Sequence, residues 1–269
     1  MNRQRLLQSF LACILGLSLW GAEELRASAF TVTPVRIFLG AGASSALLTV
    51  RNDSTEPISF QISLRAWNQA PDGDMQLSET KDLVFFPAMM VLQPAEEKKV
   101  RVGSAFKSAV NTERSYRIFF EELPPAQVNT ATTTGGGAQV RVLTKMGVPI
   151  FIQPPSLVVK GDLTSVSVAD RAVSFDVKNA GNSFFVVNSV TVTGVSKTGD
   201  TTFTKQAEGW YVLAGGTRHF QVPIPAEACA GTDRIKLSVA SSLSDEKGNP
   251  SPMSTDVAVP AAACGASAK

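Results

Sequence analysis

The sequence predicts an all-β protein built from two immunoglobulin-like β-sandwich domains behind a leader segment. Three observations carry that expectation. Short runs rich in Val, Thr, Phe and Ile alternate apolar and polar residues, and helical periodicity is scarce beyond the first twenty residues. Turn signals break those runs at the spacing of sandwich strands. The 269 residues, 44% of them hydrophobic, suffice for two cores of ordinary size. A formal net charge of +2 gives no reason to expect nucleic acid or a strongly acidic partner.

Residues 1–29 read as a signal peptide. Arg3 and Arg5 form a basic start, Leu6–Trp20 an apolar core, and Ala27-Ser28-Ala29 a small-residue cleavage site before Phe30. The apolar run is shorter than the roughly 20 residues that a spanning helix needs. Phe10-Leu11-Ala12 is a poor lead-in for lipidation at Cys13, and the apolar run continues past that cysteine. The mature protein is therefore expected to be exported and soluble. Cleavage leaves two cysteines, Cys229 and Cys264, and an even count in an oxidising compartment favours a disulfide over two separate thiols.

In order along the chain, the first domain, 30–153, is expected to hold seven strands. They are Phe30–Leu39, Ala46–Asn52, Ile58–Asn68, Leu83–Leu92, Lys98–Val102, Tyr116–Leu123 and Gln139–Ile152. Asn52-Asp53-Ser54 and Pro71-Asp72-Gly73-Asp74 mark turns between them. Ala126–Ala138 holds no large apolar residue beyond Val128, so burial cannot offset its ordering entropy and a loop is expected. Gln153-Pro154-Pro155-Ser156 marks the domain boundary. Eight short strands then fill a second domain, 154–259: Leu157–Val159, Leu163–Val168, Val173–Asn179, Phe184–Thr193, Phe203–Lys205, Tyr211–Leu213, His219–Ile224 and Ile235–Ala240. Residues 260–269 are a small-residue tail, loose apart from Cys264.

The stretch Gln139–Ile152, QVRVLTKMGVPIFI, stands apart. Val140, Val142, Thr144, Met146, Val148, Ile150 and Ile152 give one face an almost unbroken apolar period of two, longer than a typical strand. Pro149 cannot donate to a ladder and pushes the strand toward a sheet edge. A long apolar edge offers unpaired backbone groups to another chain.

Several stretches, in order, resemble the periplasmic pilus-assembly chaperones of the chaperone–usher pathway, the PapD-like family. Thr33-Pro34-Val35-Arg36-Ile37-Phe38 is similar to the family's first strand with its arginine. Val50-Arg51-Asn52 and Leu64…Trp67 resemble the next two strands. Phe86-Pro87, Leu92-Gln93-Pro94 and Val100-Arg101-Val102 resemble its P-x-x-x-x-L-x-P-G-x-x-x-x-x-R run, with Ala95 in place of the glycine. Tyr116-Arg117…Glu121-Glu122-Leu123-Pro124 resembles its strand ending in E-[IL]-P. Met146–Phe151 resembles a variant of the family with G-[IV]-P-[IV]-F in its last first-domain strand.

The resemblance implies two domains in an L-shaped arrangement and a chaperone that donates a strand to a pilus subunit with an incomplete immunoglobulin-like fold. The subunit then passes to an outer-membrane usher. Val140 and Val142, with Thr144 or Met146, are the donor residues it implies, whereas Val148–Ile152 are expected to pack on their own domain. It also implies an anchor for the subunit's C-terminal carboxylate, with Arg36 as its arginine. The family's lysine falls on Pro149, which leaves Lys145 and Arg101 as the nearby basic candidates. For Arg101, a cross-strand ion pair is the equal alternative. The resemblance implies no cofactor and no small-molecule substrate, and the exposed strand leaves open self-association of the free protein.

Enzyme chemistry finds little support. His219 is the sole histidine, Glu121-Glu122 reads as a structural pair at a strand end, and no phosphate-loop or metal-ligand spacing occurs. The competing structural reading is a secreted pilus subunit or adhesin, for which Phe30–Leu39 could serve as an alternating extension. A full set of strands in the first domain argues against it.

Overall fold

A computed structural model describes residues 29–40, 42–106, 109–124, 142–244, 248–249 and 251–264. Residues 1–28 of the predicted leader, the loop 126–138 and the donor candidate Val140 lie outside the described residues. Among those described, no helix is long and apolar enough to cross a membrane.

The first half of the chain forms ten strands. They are β1 (Phe30–Thr33), β2 (Ile37–Leu39), β3 (Ser45–Asn52), β4 (Ile58–Gln69), β5 (Met75–Ser78), β6 (Leu83–Phe86), β7 (Met89–Leu92), β8 (Glu97–Ser104), β9 (Arg114–Leu123) and β10 (Lys145–Ile152). One sheet runs β1-β3-β8-β6; the other runs β2-β10-β9-β4-β5, with β7 also on β4. The inward faces of both sheets meet in a core that includes Leu48, Val50, Phe60, Val100, Ile118, Phe120, Val148 and Ile150.

Two expected strands are each divided in two. Pro34 breaks Phe30–Leu39, so β1 pairs with β3 in one sheet and β2 with β10 in the other. The first strand therefore changes sheets, as a proline at an edge allows. Pro87 splits Leu83–Leu92 in the same way, with β6 on β8 and β7 on β4. Of the expected strand from Gln139, the described residues 142–144 lie outside the ladder, which runs from Lys145 to Ile152. β5 lacks any buried residue, which is why alternation did not reveal it.

The second half forms β11 (Gly161–Ala169), β12 (Ala172–Asn179), β13 (Phe185–Val195), β14 (Thr201–Glu208), β15 (Tyr211–Val212), β16 (Thr217–Pro223), a short helix α1 (Ala226–Cys229), β17 (Arg234–Ser241) and β18 (Met253–Ala258). One sheet is β11-β12-β16; the other is β14-β13-β17-β18, with β15 also on β13. They close over Val173, Phe175, Phe185, Val190, Ile235 and Leu237. Leu157–Val159, an expected strand, is an exposed connection instead. Cys229 and Cys264 are disulfide-bonded, and the 3-10 turn Ala261–Cys264 buries Ala263 while its carbonyl accepts from the Arg171 N–H at 2.9 Å. That part of the tail is thus tied down.

Where the two sandwiches meet, Trp67 and Phe151 from the first pack with Tyr211 and Leu213 from the second, flanked by Phe184 and Trp210. Hydrogen bonds cross with them. The Ser183 hydroxyl and the Phe184 N–H donate to Glu113 at 2.7 and 2.9 Å, and the His219 N–H donates to the Pro71 carbonyl at 2.6 Å. The Gln69 side-chain amide donates to the Tyr211 carbonyl at 2.8 Å.

Candidate functional site

β10 has one neighbour along its whole length and another at one end only. Antiparallel β9 accompanies it from Lys145 to Ile152, whereas β2 reaches only Ile150, Phe151 and Ile152. The Glu122 N–H donates to the Thr144 carbonyl at 3.0 Å, and the Gln153 N–H to the Leu39 carbonyl at 2.7 Å. These two bonds set the alternation: even-numbered residues turn their backbone groups to β9, odd-numbered ones to the β2 side. Past the end of β2, the N–H and C=O of Lys145 and Gly147 therefore face an open edge, whereas the Pro149 carbonyl is taken by the start of β2.

The side chains divide the same way. Val148, Ile150 and Ile152 are buried in the first core, as the sequence implied for them. Met146 is half-buried against that core. Thr144 is exposed, and so are Val142 and Leu143, at 56% and 44%. The donor candidates thus fall along a gradient from packed to exposed.

The anchor candidates do not gather. Arg36 lies in the bend between β1 and β2 and reaches across to the second domain, where its Nη2 donates to the Tyr211 hydroxyl at 2.7 Å. Its guanidinium carbon also lies 5.3 Å from the Phe184 and Tyr211 ring centres. Lys145 sits four residues before Pro149, about 13 Å along a strand, and is held by Glu121 at 2.7 Å. Arg101 is exposed on β8, in the other sheet, with no carboxylate partner among the described residues. Strand pairing, which sequence proximity does not fix, keeps both away from Arg36.

One basic residue that sequence reasoning passed over does stand at this level. Arg117 of β9 pairs directly with Pro149 of β10 on one side and with Arg65 of β4 on the other. Ile37 pairs with Ile150, so Arg36 enters the same transverse row from the edge. Arg117 is 8% exposed, and its guanidinium carbon lies 4.2 Å from the Trp67 ring centre and 4.8 Å from that of Trp210. Its Nε is buried without a hydrogen-bond partner. Burial holds its pKa below the ordinary arginine value, opposed only by the nearby Tyr211 oxygen. The sequence carried a signal: Arg117 is the one charge inside the run Tyr116–Phe120.

Gly147 makes room for this arrangement. A Cβ there would sit 2.8 Å from the Phe119 ring and 3.5 Å from Arg117 Nη1. Beyond it the outer face opens into a groove lined by Ser63, Arg65, Leu77, Phe119, Glu121 and Lys145. Among the described residues, no three His, Cys, Asp or Glu side chains are grouped to hold a metal ion. His219 bonds Asp176 at 2.8 Å on an exposed strand face of the second sandwich.

Residues 29–158 match the sequence model of pili and flagellar-assembly chaperones, PapD N-terminal domain. A comparison with curated protein sequences finds no match. Among solved structures, the fold is similar to a chain of the CsuC–CsuE chaperone–tip adhesion subunit pre-assembly complex, from archaic chaperone–usher Csu pili of Acinetobacter baumannii. There the TM-score is 0.57 at 16% identity, over 84% of this chain and 97% of that one. The class 5 fimbriae chaperone CfaA aligns with TM-score 0.51 at 14% identity over 86% of this chain and 99% of its own. The CupB2 chaperone of Pseudomonas aeruginosa gives 0.50 at 14%, over 86% and 100%.

Proposed function

Because the chain belongs, through residues 29–158, to the pili and flagellar-assembly chaperones, we propose that it is a periplasmic chaperone that lends the free edge of β10 to a pilus subunit. The open backbone groups of Lys145 and Gly147, continued by exposed Val142 and Leu143, are the observation that carries this reading. A subunit short of one strand would gain a ladder from that edge, and alternate side chains from Val140 to Met146 would fill its groove. Main-chain bonds supply affinity and the side chains selectivity. Arg36 lies at the hinge end of the same edge, where a guanidinium can grip a carboxylate in two-pronged fashion.

In this reading the action is stoichiometric and uses no nucleotide or cofactor. Residues 1–29 direct export and are removed, and the capped subunit passes to an outer-membrane usher, where the next subunit's extension displaces β10. Strand addition also gives the edge protection from unwanted pairing, which an exposed apolar strand needs.

The test is recovery of the tagged mature protein from the periplasm of cells making fibre subunits, with bound chains identified by mass. The expected result is a one-to-one complex with a small secreted sandwich subunit. Arg36→Ala and Val142→Asp variants should fold normally and recover much less of it. A wild-type protein that emerges alone from such cells overturns the reading.

A further inference from the structure

Phe119 of β9 is a large ring with no core to serve. It is 8% exposed, yet it joins none of the three apolar clusters, because its side chain lies on the outer face of its sheet. Its row across the sheet is low, with Gly147 of β10 on one side and Ser63 of β4 on the other. The two flanking rows stand higher. Lys145 pairs with Glu121 at 2.7 Å in one of them, and Arg65 with Glu79 at 3.1 Å in the other. Between these ridges the groove described above runs across the strands, and it opens at Gly147 onto the free edge of β10. The Lys145 ammonium lies 5.3 Å from the Phe119 ring centre and covers it from one flank. Both ridge charges are matched in pairs, and Arg117 in the second row is stacked on the Trp67 and Trp210 rings. The groove therefore suits an apolar side chain better than an ionised one.

We propose that Gly147 and Phe119 form a notch that selects a large apolar side chain, an aromatic one above all, on the strand that adds to β10. This rests on the strand-addition reading above. Paired residues on neighbouring strands turn their side chains to the same face. The added residue beside Gly147 therefore points to the outer face, away from the core that Val148 and Ile150 fill. Two strand spacings, about 10 Å between Cα atoms, separate that residue from Phe119, and an ordinary side chain at position 147 would stand between them. Glycine removes the obstacle. The Phe119 ring lies so near that a Cβ at position 147 would sit 2.8 Å from it, so the ring fills the place of the missing side chain. It thereby becomes the direct neighbour of the incoming residue, where an aromatic pair adds attraction beyond the area it buries. Val142 and the other donor residues work the opposite face of the same edge, so the notch examines the added strand on its second face.

The experiment uses the mature protein and three ten-residue peptides of alternating valine and threonine, acetylated and amidated at their ends. One central threonine is replaced by phenylalanine in the first, alanine in the second and glutamate in the third. Affinity is read by titration calorimetry, and slowed amide exchange at Lys145 and Gly147 reports binding at the edge. The phenylalanine peptide should bind wild-type protein about fivefold to twentyfold more tightly than the alanine peptide, as a cross-strand aromatic pair implies. Phe119→Ala should bring the two within about twofold and leave the alanine peptide's affinity unchanged, while Phe119→Leu keeps part of the preference. Preference retained in Phe119→Ala overturns the notch. Equal binding of the two peptides by wild type, with both amides slowed, also overturns it and leaves strand addition standing. Tighter binding of the glutamate peptide than of the phenylalanine peptide overturns the apolar assignment. If no peptide slows those amides, strand addition fails and the notch with it. Should Phe119→Ala unfold, the wild-type comparison alone still decides.

Discussion

The two ends of β10 are one strand in sequence and two different objects in the fold. At Ile150–Ile152 the strand has a neighbour on each side, and Ile150 is fully buried. At Lys145–Gly147 it has one neighbour, and just before it Val142 and Leu143 stand in solvent. Alternation is the same throughout, so alternation alone does not say what a face is for. What separates the halves is β2, three residues long, which closes one end of the edge and leaves the other available.

Removing the closed end should have the largest effect. Ile150→Ala is expected to cost about 2–5 kcal/mol of stability, as deletion of a buried side chain does, whereas Val142→Thr should stay within about 0.5 kcal/mol. Urea unfolding of the two variants checks this. Equal losses would erase the distinction between the halves.

The next effect lies in the second sandwich, remote from β10. Replacing both Cys229 and Cys264, joined across 35 positions, should destabilise that domain by roughly 2–4 kcal/mol on loop-entropy grounds. Subunit binding at low temperature should persist, because the open edge belongs to the first domain. Loss of binding in a folded variant would show that the edge depends on the second domain's rigidity.

A smaller effect sharpens the comparison at the open end. Val142→Asp should weaken subunit binding by about tenfold or more, roughly 1.4 kcal/mol, with unfolding unchanged. The smallest concerns the seam between the domains. Burial raises the pKa of Glu113 above its ordinary value, against the bonds from Ser183 and Phe184 that favour the carboxylate. A raised native pKa means that the folded state holds the proton at a pH where the unfolded chain has released it. Stability therefore falls as pH rises from the ordinary glutamate range through the raised value. Glu113→Gln should flatten that slope, measured by unfolding across mildly acidic pH; an identical slope would exclude Glu113 as its source.

Much of the fold was legible in the sequence, because sandwich strands announce themselves by period two. The core strands β3, β4, β8, β12, β13, β16 and β17 alternate, while β9, buried on both faces from Tyr116 to Phe120, shows instead as a short apolar run. Strands without a buried face gave no such signal: β5 is exposed throughout, and β18 buries none of its residues fully. The sheet switches at Pro34 and Pro87 were visible as prolines but not as crossings, since partner choice is a long-range property. The same holds for the site. Arg36 was found by its motif and lies at the domain seam. Lys145 and Arg101 were chosen for nearness along the chain or within a motif. Arg117, thirty-two positions before Pro149, becomes its neighbour only through the register of β9 on β10.

Backbone amide exchange along β10 tests the central claim most directly. In the free protein the amides of Met146, Val148 and Ile150, bonded to β9, should exchange slowly, and those of Lys145 and Gly147 quickly. In the complex with a pilus subunit, Lys145 and Gly147 should become protected to the level of their neighbours. A stable complex in which those two amides still exchange as fast as in the free protein would contradict strand addition at this edge.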